Sequence, residues 1–322
     1  MTTISTDGLT RRFGDVVAVD GLTMTVEREE VYGFLGPNGA GKSTTIDMLL
    51  GFKKPSAGSA TVLGEDVTKR SRAVRSRIGL LPEGYELYRN LTGRELIASA
   101  IETKGAHDDP DEILDRVGLD PDDARRAVGD YSTGMTQRAA LGVALAGEPD
   151  LLILDEPSSG LDPKGIKLLR RIVRQEAERG ATVFFSSHHL DQVERVCDRV
   201  GILHDGRLVA ENAVDDLREE LDAGATMEVD VDAVPDDLGM DDVEGVGGVT
   251  VDGTTVQVTC RRPGAKMPAL RRIDDRATVE DVVIEDASLE SVFEEYTAEG
   301  IDGSAEGSAD ATDPQRQAAE GD

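Results

Sequence analysis

One nine-residue run limits what this chain can fold into more than any other feature. Gly36-Pro37-Asn38-Gly39-Ala40-Gly41-Lys42-Ser43-Thr44 follows the apolar, β-branched and aromatic segment EVYGFL and precedes residues of helical character. The pattern G-x-x-x-x-G-K-[ST] needs a strand before it and a helix after it, because the chain must wrap a phosphate with its N–H groups turned inward. Glycine reaches the backbone angles that such wrapping demands. Lys42 would extend to the β- and γ-phosphates, and the Ser43 hydroxyl would ligate Mg²⁺.

The surrounding pattern supplies a scaffold for that loop. VVAVDGLTMTV and EVYGFLG, within residues 15 to 35, have strand composition. A helix is expected from Lys42 to about Leu50, stopped by Gly51, and SAGSATVLGEDV returns to strand and turn. From about Thr92 to Ala146 the pattern is mostly helical, with turns at Gly105 and around GLDPDD. DLLILDEP is a continuous apolar run ending in acids, as expected of a buried parallel strand. A helix from about Lys164 to Arg179 and the strand ATVFFSS follow. This alternation implies an α/β fold, a parallel sheet covered on both faces.

The acids closing LLILDE complement the loop. Asp155 at a strand tip beside it can hold magnesium, and Glu156 next to it can polarise an attacking water. Phosphoryl transfer needs mainly positioning and charge neutralisation, and water as acceptor makes the reaction a hydrolysis. A second, weaker anion cradle lies at YSTGMTQR. There Ser132 and Gly134 open a helix whose free N–H groups and dipole favour negative charge.

Charge narrows the partners. With 64 acids against 35 bases the formal net charge is −29, which disfavours nucleic acid and direct docking to anionic lipid. Acids spread along the chain, with Arg outnumbering Lys, suggest a high-salt cytoplasm that screens self-repulsion. No stretch approaches the ~18 apolar residues that span a bilayer, and Met1 to Thr10 lacks signal-peptide character. Any membrane role is therefore expected to come through a partner. Cys197 and Cys260, far apart in the chain, fit reduced structural thiols.

Beyond about Leu217 the character changes. ATMEVDVDAV and GVTVDGTTVQVTC alternate in polarity, with DG marking a turn, and ASLESVFEEY sets Leu289, Val292, Phe293 and Tyr296 at helical spacing. These features predict a small α+β accessory domain over 218–296. Residues 297–322, rich in Gly, Ala, Ser and acids, have the composition of a disordered tail.

The P-loop, YSTGM and LLILDEPSSGLDP, taken together, resemble an ATP-binding cassette (ABC) ATPase, and closely the separate nucleotide-binding subunits of ABC-2 type exporters. The likeness covers residues 1–217, and SLESVF is similar to the closing motif of that subfamily's C-terminal extension. It implies a P-loop NTPase fold with an antiparallel β-subdomain and a helical subdomain over about 84–148. It also explains the second cradle: YSTGM corresponds to the signature motif, which meets ATP held by the P-loop of the opposite subunit. Thr133 and Met135 depart from its commonest form.

The remaining assignments follow from the resemblance. Phe13 sits where an aromatic stacks on adenine. Glu83, in LLPEGYELY, falls where most of the family has a glutamine that senses metal and water and couples to the membrane subunit. ABC-2 relatives often have Glu there. Asp162 in SGLDP matches a loop that communicates across the dimer, and residues 84–100 would form much of the groove for a coupling helix. His188 aligns with the switch histidine at the γ-phosphate, with His189 as its rival. The implied function is an ATP- and Mg²⁺-dependent subunit, paired with itself or another cassette. It would work at the cytoplasmic face of the membrane on an ABC-2 type permease, with no nucleic-acid partner. A soluble ABC ATPase acting on the ribosome is the alternative, although such proteins usually carry two cassettes or a long coiled-coil insertion. A GTPase is disfavoured because no N/T-K-x-D motif is present.

Overall fold

The computed structural model describes residues 1–214, 216, 225–235, 237–261 and 263–285. The predicted closing helix around Leu289 to Tyr296, the acidic tail and the boundary near residue 217 lie outside the described residues.

Three sheets organise the described residues. The first is antiparallel and four-stranded, formed by β1 (Thr2–Phe13), β2 (Val16–Glu27), β4 (Ala57–Val62) and β5 (Glu65–Asp66), in the order β2-β1-β4-β5. The strand β1 lies outside the strand region read from residues 15–35, because its polar and charged residues mask the alternation of buried Ile4, Thr6 and Leu9. The second sheet is six-stranded, comprising β3 (Val31–Leu35), β6 (Ile78–Leu81), β7 (Leu151–Asp155), β8 (Thr182–Ser187), β9 (Arg199–His204) and β10 (Arg207–Ala213). Its order is β10-β9-β3-β8-β7-β6, parallel except for the β9–β10 hairpin.

The unbroken apolar runs of the parallel strands have a direct cause: both faces are buried. In β7, Leu152 and Leu154 join one core while Leu151 and Ile153 join the other. In β8, Val183 and Phe185 separate from Phe184 in the same way. One core lies on the side of the antiparallel sheet and α1 (Lys42–Leu49); Phe184 packs there against Tyr32 and Phe34 at centroid distances of 5.8 and 5.2 Å. The other core is built with α3 (Gly93–Lys104), α4 (Pro110–Arg116), α6 (Thr133–Leu145) and α7 (Pro163–Glu178). Short helices α2 (Ser71–Ser76), α5 (Pro121–Ala124) and α8 (Leu190–Glu194) complete this part.

Helix limits follow local chemistry. Thr92 and Glu95 form a capping box at the start of α3, and Gly105, at φ 65°, ends it. Asp162 caps α7 with Pro163 in its first position. Along α7, Leu169, Ile172, Val173 and Glu176 face inward at helical spacing. The buried Glu176 carboxylate is paired with Arg116 of α4 and Arg179. A second, part-buried ionic group surrounds β3. The Tyr32 hydroxyl donates to Glu211 at 2.9 Å, and Arg199 pairs with Glu30 and Glu211 at 3.1 and 3.2 Å. Burial, reinforced by the Glu211 charge, pushes the Tyr32 hydroxyl well above its ordinary pKa.

The third sheet is antiparallel, in the order β12-β13-β11-β14, from β11 (Ala225–Val231), β12 (Val246–Asp252), β13 (Thr255–Cys260) and β14 (Val279–Glu285). Val256, Val258 and Cys260 alternate into a core with Met227, Val229 and the helix α9 (Lys266–Asp274), which contributes Ala269 and Ile273. Strands and α9 together give the α+β composition expected from the alternating polarity of this region. Cys197 and Cys260 are both free and buried, in separate hydrophobic clusters. Among the described residues no helix is long and apolar enough to cross a membrane.

Candidate functional site: the carboxyl ends of three parallel strands

The strand order β3-β8-β7 brings three chain segments to one edge, where the carboxyl ends of parallel strands form the usual ligand crevice. From β3 the chain enters the glycine-rich loop. Gly36 is buried, and a Cβ there would lie 2.4 Å from the Leu203 carbonyl oxygen. Gly41, at φ 107°, caps α1, and a Cβ on it would meet the Ala18 carbonyl oxygen at 2.4 Å. Pro37, Asn38 and Gly39 form an exposed rim, while Ala40 is buried beneath. Ser43 and Thr44 stand in the first turn of α1, where backbone N–H groups lack helical partners and attract anions. Lys42 is folded back onto the loop, its Nζ donating to the Gly36 and Pro37 carbonyls at 2.6 and 3.2 Å.

The tips of β7 and β8 close over this lysine. Glu156 Oε1 lies 3.6 Å from Lys42 Nζ and 2.9 Å from His188 Nδ1. Lys42 and Glu156 are each only 7 % exposed as side chains. The Ser187 hydroxyl approaches the other Glu156 oxygen at 3.5 Å. Glu156 has φ 49°, a left-handed conformation that costs a non-glycine residue about 1–3 kcal/mol and persists only where its surroundings impose it. Its N–H donates to the Ser186 carbonyl at 3.0 Å, which ties the strained residue to β8.

Asp155 is buried beside the Ser43 and Ser186 hydroxyls and feels the charges of Glu83 and Glu156. Burial is the main force raising its carboxyl pKa; the two hydroxyls oppose the rise, and the neighbouring carboxylates add to it. No hydrogen bond of full geometry reaches Asp155 Oδ1. A buried carboxylate oxygen left open beside Ser43, with Glu83 nearby, fits a hard divalent cation. Among the described residues no group of three or more His, Cys, Asp or Glu could cage a metal. Mg²⁺ needs few protein ligands, because it keeps waters and substrate phosphate oxygens.

Lys42, Ser43, Glu83, Asp155, Glu156 and His188 are thus neighbours in this cluster. Of the two adjacent histidines, His188 reaches Glu156, while the His189 N–H donates to the Ser187 hydroxyl. Phe13, Ser132, Gly134 and Asp162 have other surroundings. Phe13 ends β1, 41 % exposed, with the Arg11 and Lys53 cations 4.6 and 5.5 Å from its ring centre. Ser132 caps α6, accepting from Met135 N at 3.3 Å, and Gly134 lies in the first turn of that helix, facing the Gly160 carbonyl. Asp162 accepts from Gly165 N at 2.7 Å in capping α7.

Ser186 and Ser187 also line the site, and Gln137 and Tyr85 reach it through Pro157. Ser186 and Ser187 had a signal in the polar pair closing an otherwise apolar strand. Gln137 had none, and Tyr85 only its place within the 84–100 groove. Gln137 is buried and donates to the Pro157 carbonyl at 2.8 Å, while its oxygen accepts from the Tyr85 hydroxyl at 2.5 Å.

Comparison with known proteins agrees with this geometry. The family model described as ABC transporter matches residues 19–159. The chain is 44 % identical over 221 residues to the bacitracin transport ATP-binding protein BcrA of Bacillus licheniformis, covering 68 % of this chain and 72 % of that protein. It is 39 % identical over 224 residues to the daunorubicin resistance ATP-binding protein DrrA3 of Streptomyces coeruleorubidus, covering 68 % and 71 %. Among solved structures, an ATP-binding subunit of an ABC transporter superposes with a TM-score of 0.64 at 31 % identity, over 68 % of this chain and 93 % of the other. A dimeric cassette bound to ADP and Pi shares the fold, with a TM-score of 0.59 at 23 % identity, over 66 % and 98 %.

Proposed function

Because the chain belongs to the ABC transporter family of ATP-binding proteins, and is an ATPase whose hydrolysis is coupled to transport, we propose that it pairs around two ATP molecules and powers an ABC-2 type permease in export. Its place is the cytoplasmic face of the membrane, held there through the permease, in a cell interior of high salt. A further relative, the Nod factor export ATP-binding protein I of Burkholderia lata, 40 % identical over 208 residues and covering 63 % of this chain and 68 % of that protein, supports the export direction.

The observation that carries the catalytic reading is the convergence of Lys42 and His188 on one oxygen of Glu156. In the working cycle Lys42 leaves its carbonyl partners for the β- and γ-phosphates, which the N–H groups of residues 36–44 cradle. Glu156, relieved of that cation, accepts a proton from the attacking water. His188 orients the same carboxylate and contacts the γ-phosphate. Ser43, Asp155 and Glu83 are the side chains that would hold Mg²⁺, whose charge offsets that of the phosphates. Phe13 offers its ring to adenine. Ser132 and Gly134, at the start of α6, present N–H groups to the nucleotide held by the other subunit, and Asp162 lies on the loop that communicates with it. Residues 84–100 receive the permease, and the described residues 225–285 form an accessory α+β domain.

The test is capture of the Glu156→Gln chain from detergent-solubilised membranes with ATP and Mg²⁺ at high salt, followed by mass spectrometry. A polytopic membrane protein in stoichiometric amount is expected. Ribosomal or DNA-associated proteins, with no membrane protein, would overturn the permease reading and leave a soluble ATPase.

A further inference from the structure

Glu156, on which the proposed hydrolysis turns, sits at φ 49° and is bracketed by two hydrogen bonds. On one side its N–H donates to Ser186 of β8. On the other, the carbonyl of the next residue, Pro157, accepts from Gln137 Nε2 at 2.8 Å. Gln137 lies on α6, only 7 % exposed, and its Oε1 accepts from the Tyr85 hydroxyl at 2.5 Å. Tyr85 follows Glu83 by two residues in the segment joining β6 to α3, and its ring packs against the helical core. A buried amide engaged at both ends is held in one orientation, so movement at Tyr85 reaches Pro157 without a flexible link between them.

We infer that Tyr85 and Gln137 are positioning residues for Glu156: the chain from Tyr85 hydroxyl to Gln137 amide to Pro157 carbonyl sets the carboxylate's place and ties it to the 82–91 segment. The inference rests on Glu156 being the water-polarising group. Because Glu156 is strained, the Pro157 peptide relaxes when its partner is lost, and the carboxylate shifts with it. Neither residue contacts nucleotide in this scheme, so ATP binding is unaffected while turnover falls.

The test is steady-state ATP hydrolysis by the full chain, with Glu156→Gln as the blank. Tyr85→Phe keeps the ring and deletes the hydroxyl; a misplacement approaching 1 Å costs up to about 100-fold, so kcat is expected to fall roughly 10-fold with KM for ATP within about 2-fold. Gln137→Leu, of similar size, should show the same split. In the Gln137→Leu background, Tyr85→Phe should have no further effect, because the two act as one unit. Unchanged kcat in Tyr85→Phe, a change confined to KM, or independent effects in the double variant would overturn the relay. Wild-type turnover no greater than the Glu156→Gln blank would overturn the assignment of Glu156 itself.

Discussion

Glu156→Gln is expected to move binding and turnover in opposite directions, and the Lys42–Glu156 contact sets the size of the first. Lys42 Nζ is 3.6 Å from Glu156 Oε1, with both side chains nearly buried. At an effective dielectric of about 20 that contact is worth roughly 5 kcal/mol of Coulomb attraction, most of it offset by the desolvation of two charges. A residual of about 1 kcal/mol opposes the lysine's transfer to a phosphate, and a carboxylate nearby also repels the γ-phosphate. Replacing the carboxylate by an isosteric amide removes both effects. ATP should bind roughly 5-fold more tightly, since each 1.4 kcal/mol is a factor of ten. The amide cannot take a proton from water, so turnover should fall by about 10²–10⁴, or roughly 3–5.5 kcal/mol in the barrier. Titration calorimetry with ATP and single-turnover phosphate release measure the two quantities on one preparation. Hydrolysis within about 3-fold of wild type would refute Glu156 as the base. A 10-fold loss of ATP affinity would refute the competition for Lys42.

Other perturbations probe separate parts of the argument. Ser132→Arg removes the α6 cap, worth about 1 kcal/mol, and places a long cation at the proposed subunit junction. ATP-driven dimerisation should disappear in light scattering while ATP binding by the single chain persists; dimers at wild-type concentration would refute the role of that cradle. Gly36→Ala puts a methyl group 2.4 Å from the buried Leu203 carbonyl oxygen, so a loss of about 1–3 kcal/mol and weaker ATP binding are expected from denaturant melts and calorimetry. Tyr32, raised mainly by burial, contributes stability that is complete below its unfolded pKa of about 10 and falls as pH rises above it. Tyr32→Phe should therefore flatten the loss of Tm between about pH 9 and 11; an unchanged slope would refute the assignment.

Much of the site was legible because its chemistry is local. The P-loop declares itself in consecutive residues whose glycines are forced by backbone geometry: Gly41 at φ 107°, and Gly36 against a carbonyl. The acids after LLIL stand out because a strand buried on both faces admits charge only at its tip. Other residues were silent. Tyr85 resembles any half-buried tyrosine, and Gln137 resembles any polar helix residue, until α6 carries the amide to Pro157. The strand β1 is silent in the sequence because its polar residues hide the buried alternation.

The amino-acid sequence by itself determined the phosphate loop, the alternation of strands and helices, the acids at a strand tip and the family of the chain. These properties live in short windows, where φ limits, capping chemistry and hydrophobic period act between near neighbours. Only the tertiary structure decided that Lys42, Glu156 and His188 share one oxygen, that Asp155 keeps an open one beside Ser43, and that Tyr85 reaches Pro157 through Gln137. Those meetings depend on β8 pairing between β3 and β7. Burial of both sheet faces and the crossover of the connecting helices choose that neighbour order, and no spacing along the chain encodes it.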